Sequence, residues 1–301
     1  MRTLAKNDPG LFLEQYPAPL IIDEIQYAPE LLSYLKAEVD RCKTMGAYWL
    51  TGSQQFHLMK HVSESLAGRV GIANMFGLSF AEEYPIPKVS DPWTPERKVA
   101  AQSKSPLSLL ALFKLIVRGS FPRLTHRNAP AVDAFYGSYV QTYVDRDLRD
   151  LVKVSSLTSF EKFIRATAGR TGTILNISDL ARDGDVSVNT AKEWLGLLEA
   201  SGHVLLLKPY YKNFSKRLIK APKLYFMDTG LACYLTGWRE PAIVAKGPFA
   251  GPLFETHVVG EILKSYVHRG KEARIFYFRT KDKIEVDLLI EKNGRLMPVE
   301  I

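Results

Sequence analysis

Apolar residues in the first ninety positions form short runs separated by a helical pattern. Residues 19–22 have the character of a buried strand, and this run ends in two adjacent carboxylates, Asp23 and Glu24. Behind Pro29, which suits a first helical position, apolar residues recur at helical spacing as far as Asp40. A second apolar run, 47–50, follows. The pattern predicts a strand, a helix and a second strand.

Polar residues follow both predicted strands. Ser53 and Gln54 come after the second run, where small polar side chains can face a phosphate group and an attacking water molecule. Arg69, in the segment 65–69, offers a guanidinium group. Structural roles are the alternatives. An acidic pair that closes a strand is also typical of a solvated turn or a helix cap, and Arg69 can equally be a surface or ion-pairing residue.

The chain lacks the phosphate-binding loop that usually accompanies such a strand. No segment reads G-x-x-x-x-G-K-[ST], the pattern whose backbone amides and lysine hold phosphates. The one Gly-Lys pair, Gly270-Lys271, is followed by Glu272 and has Ser265 where the first glycine belongs. The residues therefore predict half of a nucleotide site.

The middle of the chain is predicted to be helical. Several prolines between positions 85 and 106 indicate a linker, and residues 108–117 are apolar enough for a buried helix that 119–122 interrupts. A helical pattern then runs from 131 to 152. Its charged end, 145–150, alternates in sign, which is typical of a solvated, salt-bridged face, with an active role as the alternative.

Residues 177–207 have the pattern of a winged helix-turn-helix. A short helix with a Ser or Asn cap begins near 177, a turn follows at 183–185, and a second helix spans 187–201 before Gly202. Asn189 and Lys192 face outward on that second helix, and 204–207 form a wing strand.

A basic and aromatic stretch follows the predicted wing strand. No acidic residue occurs between Glu199 and Asp228. The basic residues that we expect to follow a nucleic-acid backbone are Lys208, Lys212, Lys216 and Arg217. A solvated hairpin, or a surface that pairs with the protein's own N-terminal region, is the alternative.

The last segment predicts a helix followed by a three-stranded sheet. Glu255 lies on the helix, strands are expected at 274–279 and 285–290, and Asn293-Gly294 signals a hairpin to 296–301. Asp287 and Glu300 lie on the two hairpin strands, so their carboxylates are expected to converge with Glu255 and bind Mg²⁺. This arrangement resembles the PD-(D/E)XK nuclease core, a fold that also serves as a binding scaffold.

The segments described so far carry a resemblance to the bacterial and archaeal AAA+-like ATPases that have a poorly characterised C-terminal domain. The matching segments are 20–26, 49–54, 66–69, 143–151, 223–231, 254–264 and 285–301, of which Lys223-Leu-Tyr-Phe-Met-Asp-Thr-Gly-Leu231 is the most distinctive.

The resemblance implies ATP and Mg²⁺ as cofactors and gives the N-terminal residues roles. Asp23 would hold Mg²⁺ through water, Glu24 would polarise the attacking water, Ser53 or Gln54 would sense the γ-phosphate, and Arg69 would read the nucleotide state. In that family the phosphate-binding loop precedes a segment like 1–16, and lysine follows the equivalent of Ile301. The resemblance therefore predicts a chain truncated at both ends, with weak ATP binding.

Composition changes this picture little. The 301 residues are 46% hydrophobic and 24% charged, and the net charge of +8 permits nucleic-acid binding without requiring it. Cys42 and Cys233 have no metal-ligand spacing, which is typical of a reducing cytoplasm. No apolar run is long enough for a signal peptide or a membrane span, so a membrane is not an expected partner.

The predicted fold class is α/β, with four regions. These are a partial P-loop ATPase domain at 1–90, a helical linker at 91–155, a winged helix-turn-helix at 156–222 and a truncated α/β restriction-endonuclease-like domain at 223–301. The predicted function is ATP binding with deficient hydrolysis, with DNA and self-association as expected partnerships. The alternatives are a non-enzymatic DNA-binding or protein-interaction module and a Mg²⁺-dependent nuclease.

Overall fold

The computed structural model separates the chain into two compact units, Met1–Ile72 and Ala73–Ile301, called here the N-terminal and C-terminal units. The residues that the structure describes are 1–42, 44–52, 66–84, 91–96, 107–143, 157–211, 220–280, 282 and 284–301. The first compact unit thus ends before residue 90, where the sequence pattern places the first boundary.

The N-terminal unit contains a two-stranded parallel sheet and helices around it. Its helices are α1 (Arg2–Asn7), α2 (Pro9–Gln15) and α3 (Leu31–Cys42), and its strands are β1 (Leu20–Ile22) and β2 (Tyr48–Leu50). The order β1, α3, β2 confirms the predicted strand, helix and strand. A 3-10 turn at Ile25–Tyr27 follows β1, and helix α3 begins at Leu31 and not at Pro29.

One face of this sheet covers the core of the N-terminal unit. Leu20 and Ile22 pack with Tyr48 and Leu50 against that core. Its buried residues are Ala5, Phe12, Leu13, Ile25, Ala28, Leu31, Leu32, Leu35 and Leu66. Alternation along a strand exposes the opposite side chains, among them Trp49.

The C-terminal unit begins with helices. They are α4 (Phe80–Glu83), α5 (Leu109–Arg118), α6 (Pro122–Thr125) and α7 (Val132–Tyr143). Ser108 caps α5 through the amide of Ala111, and Gly119 ends it with φ at +77°, which confirms the predicted helix and its break. The charged stretch 145–150 lies outside the described residues.

A helical and β segment follows with the order helix, strand, helix, helix, strand, strand. Its elements are α8 (Leu157–Ala168), β3 (Thr173–Ile174), α9 (Ile177–Asp183), α10 (Val188–Ala200), β4 (Val204–Leu207) and β5 (Lys223–Phe226). The three strands form an antiparallel sheet in the order β3-β5-β4.

Local signals in this segment are confirmed. Asn176 caps α9, Ser187 caps α10, and Gly202 has φ at +73° just after α10. Strand β5 is the central strand of the sheet and pairs with both β3 and β4. The domain boundary that the sequence pattern places between residues 222 and 223 would therefore separate β5 from both of its partners. The sequence pattern missed this pairing because strand partners distant in the chain leave no local signal.

The remaining elements form a helical segment and an antiparallel meander. They are α11 (Thr229–Thr236), α12 (Pro241–Val244), α13 (Ala250–Val267), β6 (Ile275–Arg279), β7 (Glu285–Lys292) and β8 (Arg295–Val299), with strand order β6-β7-β8. Asn293 and Gly294 have φ of 51° and 74°, which confirms the predicted hairpin turn between β7 and β8.

Two apolar cores hold the C-terminal unit. One lies among the helices, where Trp194 meets Phe160 and Phe163 edge-on with ring centroids 5.1 Å and 5.4 Å away. The other lies between α13, β5 and the meander, and includes Tyr225 and Leu288. No helix among the described residues is both long enough and apolar enough to cross a membrane.

Candidate functional site

The carboxyl ends of β1 and β2 meet at one edge of the N-terminal sheet. The strands are parallel, with Ile22 opposite Leu50, so the residues that follow them lie at the same edge. The ladder continues beyond the strands, since the Thr51 amide donates to Ile22 O at 3.0 Å and the Ile25 amide donates to Thr51 O at 3.0 Å. This pairing brings Asp23 and Glu24 beside Thr51.

The Thr51 hydroxyl group connects the two carboxylate residues. It donates to Asp23 Oδ1 and accepts, at 3.4 Å, a hydrogen bond from the Glu24 backbone amide. Glu24 has φ at +53°, a left-handed conformation that is uncommon outside glycine and turns the chain sharply after Asp23. Gln26 Nε2 donates to Glu24 Oε2 and orients that side chain.

These groups suit a magnesium and nucleotide site. Asp23 is exposed and Glu24 is half-buried, so both are within reach of a bound ligand. Carboxylate oxygens are preferred Mg²⁺ ligands, and a held carboxylate can orient a water molecule and accept its proton. Of the other predicted nucleotide contacts, Ser53 and Gln54 lie outside the described residues. Thr51 begins the polar run 51–55 after β2, whose small side chains are expected to face the γ-phosphate.

Arg69 lies against helix α3 in the N-terminal unit. Its Nε and Nη2 atoms donate to Asp40 Oδ1 and Oδ2 at 2.6 Å and 3.0 Å, a two-point pairing of guanidinium and carboxylate. The hydrogen bond from Arg69 lowers the pKa of the Asp40 carboxyl group. This placement corresponds to the ion-pairing alternative, and a role for Arg69 in reading the nucleotide state stays a prediction.

The C-terminal unit contains a cluster of three carboxylates around one lysine, called here the acidic cluster. The Nζ atom of Lys223, on β5, lies 2.7 Å from Glu255 Oε1, 2.9 Å from Glu285 Oε1 and 3.6 Å from Asp287 Oδ1. Glu255 comes from α13 and the other two carboxylates from β7. The Tyr225 hydroxyl also donates to Glu255 Oε1.

Burial and charge act in opposite directions on Lys223. Burial disfavours its charged form, but hydrogen bonds to Glu255 and Glu285, together with their negative charges, outweigh that effect and raise the pKa of the ammonium group. For Tyr225, burial and the neighbouring Glu255 carboxylate both raise the pKa of the phenol. Lys223 is thus a charged group with its hydrogen-bond donors directed at the carboxylates.

Glu300, the third predicted metal ligand, is exposed beyond the end of β8. Asp287 instead accepts a hydrogen bond from the Ile301 amide through Oδ2 at 3.0 Å. Among the residues that the structure describes, no group of three or more His, Cys, Asp or Glu side chains is arranged to hold a metal ion. The sequence pattern did not predict that Lys223 and Glu285 lie beside Glu255 and Asp287. The one indication in the sequence was a lysine at the start of the apolar strand β5, since a buried lysine needs carboxylate partners.

The outward face of α10 carries mixed charges. Asn189 and Lys192 are exposed as predicted, and Glu193 and Glu199 are exposed on the same helix. The preceding helix α9 has its charges paired, with Arg182 bound to Asp179 and Asp183. Of the predicted basic stretch, Lys208 is exposed, while Lys212, Lys216 and Arg217 lie outside the described residues.

Asp228, within the motif 223–231, accepts hydrogen bonds from three parts of the helical region. Its Oδ2 accepts from the Ser120 amide at 2.8 Å and the Ser120 hydroxyl at 2.9 Å. Its Oδ1 accepts from the buried Tyr136 hydroxyl at 2.7 Å and the Leu231 amide at 2.8 Å, which caps α11. The motif therefore begins with the buried ammonium group of Lys223 and contains, at Asp228, a carboxylate whose two oxygens each accept two hydrogen bonds.

Comparison with known proteins divides the chain into three matched regions. Residues 1–84 match the model of an AAA domain, residues 110–242 match a domain of unknown function (DUF8612), and residues 250–301 match another domain of unknown function (DUF4143). No solved structure shows significant similarity.

Two curated relatives align with almost the whole chain. They are the uncharacterized proteins Mb2031c of Mycobacterium bovis and Rv2008c of Mycobacterium tuberculosis, each 29% identical over 296 residues. The alignments cover 98% of this chain and 60% of each relative, so the chain spans about three fifths of their length. The chain is thus similar to AAA-like ATPases in its N-terminal part and to domains of unknown function in the rest.

Proposed function

We propose that this chain belongs to an AAA-like ATPase and that Asp23 and Glu24, which follow β1, and Thr51, which follows β2, form part of its nucleotide site. The observation that carries the proposal is the parallel pairing of β1 and β2, which directs the three residues to one edge. The match of residues 1–84 to an AAA domain supports it.

The three residues have different roles in this proposal. Asp23 would hold Mg²⁺, directly or through water, and the metal ion with ATP would supply a polarised terminal phosphate. Glu24 would orient water and accept its proton. Thr51 positions the Asp23 carboxylate through its hydroxyl hydrogen bond and also accepts from the Glu24 backbone amide, so it holds Asp23 against the turn at Glu24. Binding is expected to be weak, because residues 1–301 contain no phosphate-cradling glycine-rich segment.

Anisotropy of a fluorescent ATP analogue, titrated with and without Mg²⁺, tests the proposal. Asp23→Asn is expected to weaken Mg²⁺-dependent binding about tenfold, the equivalent of one lost charge-assisted contact. Glu24→Gln should bind as the parent does, because it retains size and polarity and loses only the proton acceptor. Glu14→Gln, an exposed change on α2, is the matched control. Equal Mg²⁺-dependent binding by Asp23→Asn and the parent chain would contradict the proposed role of Asp23.

As a second function, we propose that residues 157–226 form a winged helix-turn-helix module that contacts DNA. The contact would be made by the basic stretch after β4, along the phosphate backbone of the DNA, and not by α10. The order of helices and strands and the exposed Lys208 and Lys220 support this choice. The exposed face of α10 opposes it as a reading surface, because Lys192 is accompanied there by Glu193 and Glu199.

A salt titration of duplex binding separates the two surfaces. Lys208→Ala with Lys220→Ala should weaken binding to every sequence and reduce the salt slope by about two, since each lysine would neutralise one phosphate. Asn189→Ala with Lys192→Ala should leave that slope nearly unchanged. No binding of duplex or single strands at low salt would remove the DNA hypothesis.

A further inference from the structure

The acidic cluster combines three carboxylates, the residue type that divalent metal ions prefer, with a buried ammonium group among them. We propose that Lys223 is the resident cation of the acidic cluster and takes the place that a divalent metal ion would occupy. The C-terminal region then binds neither Mg²⁺ nor Mn²⁺ there, and a metal site appears only when the lysine is made neutral.

The geometry of Lys223 supports this assignment. Its side chain is only 5% exposed, and its ammonium group has three N–H donors. Glu255 and Glu285 accept from it at 2.7 Å and 2.9 Å, and Asp287 lies at 3.6 Å. The three carboxylates thus match the three donors in number. They come from α13 and β7, which are distant from β5 in the sequence.

Each of the three carboxylates has a further hydrogen-bond or ion-pair partner besides Lys223. Asp287 Oδ2 accepts from the Ile301 amide at 3.0 Å, and Glu285 Oε2 lies 3.4 Å from Arg279 Nη1. Glu255 Oε1 accepts from the Tyr225 hydroxyl as well as from Lys223. These contacts fix the orientation of each carboxylate, so the group has little freedom to rearrange around a second cation.

A divalent ion does not fit this cluster while Lys223 is present. Mg²⁺ and Mn²⁺ need oxygen ligands at about 2.0–2.2 Å, so an ion bound to the oxygens that face Lys223 would overlap the ammonium group. The charges also disfavour it, because Lys223 and Arg279 already balance two of the three carboxylates. The predicted metal site of Glu255, Asp287 and Glu300 therefore disagrees with the residues that surround it.

Neutral substitution of Lys223 should convert the cluster into a metal site. Lys223→Met keeps most of the length of the side chain and removes the charge, which leaves three half-buried carboxylates with Arg279, beside Glu285, as their remaining cation. A hard divalent ion is the ligand such a group binds. Lys223→Arg keeps the charge and should exclude the metal as the parent does.

Loss of the free Mn²⁺ electron paramagnetic resonance signal measures binding directly. All forms carry Asp23→Asn, so that the proposed nucleotide site does not contribute, and the result stays independent of the proposed ATPase function. The parent and Lys223→Arg should show no binding at this cluster below about 1 mM, whereas Lys223→Met should bind one Mn²⁺ at least about tenfold more tightly. Addition of Glu255→Gln should reverse that gain. Lys271→Met, an exposed lysine, is the control.

Melting temperatures provide the second measurement. Mn²⁺ should raise the melting temperature of Lys223→Met and leave the parent and Lys223→Arg unchanged, because only a folded metal site couples binding to stability. If Lys223→Met does not fold alone, recovery of the fold on refolding with Mn²⁺ supports the proposal.

Three results would overturn the proposal. One is Mn²⁺ binding by the parent that Glu255→Gln or Asp287→Asn removes, since the lysine would then not exclude the metal. Another is a folded Lys223→Met that binds no Mn²⁺. The third is a Lys223→Met that fails to fold with or without Mn²⁺ while Lys223→Arg folds, because a metal ion could then not replace the ammonium group.

Discussion

Removing the Asp228 carboxylate should destabilise the C-terminal unit by several kcal/mol. The change Asp228→Ala deletes the acceptor of hydrogen bonds from Ser120, Tyr136 and Leu231. It therefore uncaps α11 and removes the link that Asp228 makes between Ser120, after α5, and Tyr136, on α7. The fully buried Tyr136 hydroxyl keeps a second acceptor, Arg118 O at 2.9 Å, whereas the Ser120 amide depends on Asp228.

The magnitude follows from these contacts. Loss of an N-cap costs about 0.5–2 kcal/mol, and each hydrogen bond to a charged group contributes about 1.5–3 kcal/mol. The contacts share one carboxylate and are not additive, so we expect about 4 kcal/mol for Asp228→Ala. Asp228→Asn keeps one oxygen for Tyr136 and Leu231 but turns an amide donor toward the Ser120 amide, so we expect about 2 kcal/mol.

Thermal unfolding followed by intrinsic fluorescence measures this loss. Trp194 and Trp238 both lie in or against the helical core that Asp228 supports, so they report unfolding of this region. For a unit of this size, about 2–4 °C of melting temperature corresponds to 1 kcal/mol, which predicts a decrease of about 8–16 °C for Asp228→Ala. Asp133→Asn is the matched control, because its ion pair with Arg239 is exposed and contributes less than about 1 kcal/mol.

The reasoning would be refuted by a loss below about 1 kcal/mol in Asp228→Ala, or by a loss equal to that of Asp133→Asn. Either result would mean that water replaces the carboxylate without cost. A loss in Asp228→Asn as large as that in Asp228→Ala would show that the negative charge, and not the hydrogen-bond geometry, is what stabilises this junction.

Two further predictions concern pH and backbone conformation. Burial lowers the pKa of His203 to about 4, so between about pH 6.5 and 4 the unfolded chain binds a proton that the folded chain does not. The contribution of neutral His203 to the free energy of unfolding is therefore present in full above pH 6.5. It should fall by about 2 kcal/mol between pH 7 and 5. Urea unfolding across that range should show a smaller decrease in His203→Gln than in the exposed control His126→Gln, and equal slopes would contradict the low pKa. Gly119→Ala should cost about 3 kcal/mol or more, because φ is +77° and a Cβ atom would lie 2.1 Å from the Tyr136 hydroxyl oxygen. Gly196→Ala, on an open helix surface, should instead stabilise by about 0.5–1 kcal/mol, so the two variants should shift the urea midpoint in opposite directions.

The amino-acid sequence by itself determined the local features of this protein. Ser108 and Asn176 cap helices, Gly119 and Gly202 follow helix ends, and Asn293-Gly294 makes the hairpin turn, all as their residue types indicate. These features depend on backbone conformation and on hydrogen bonds between residues a few positions apart. The short strands β1 and β2 were predictable for the same reason, since their apolar runs end in polar residues.

Only the tertiary structure decided which distant side chains meet. It placed Thr51 on Asp23 across 28 positions, Lys223 among carboxylates more than thirty positions away, and Asp228 on Ser120 across 108 positions. These encounters depend on strand register and on how helices pack against sheets. A buried lysine in β5 can be recognised in the sequence, but the carboxylates that compensate its charge are selected by the position of β5 beside α13 and β7.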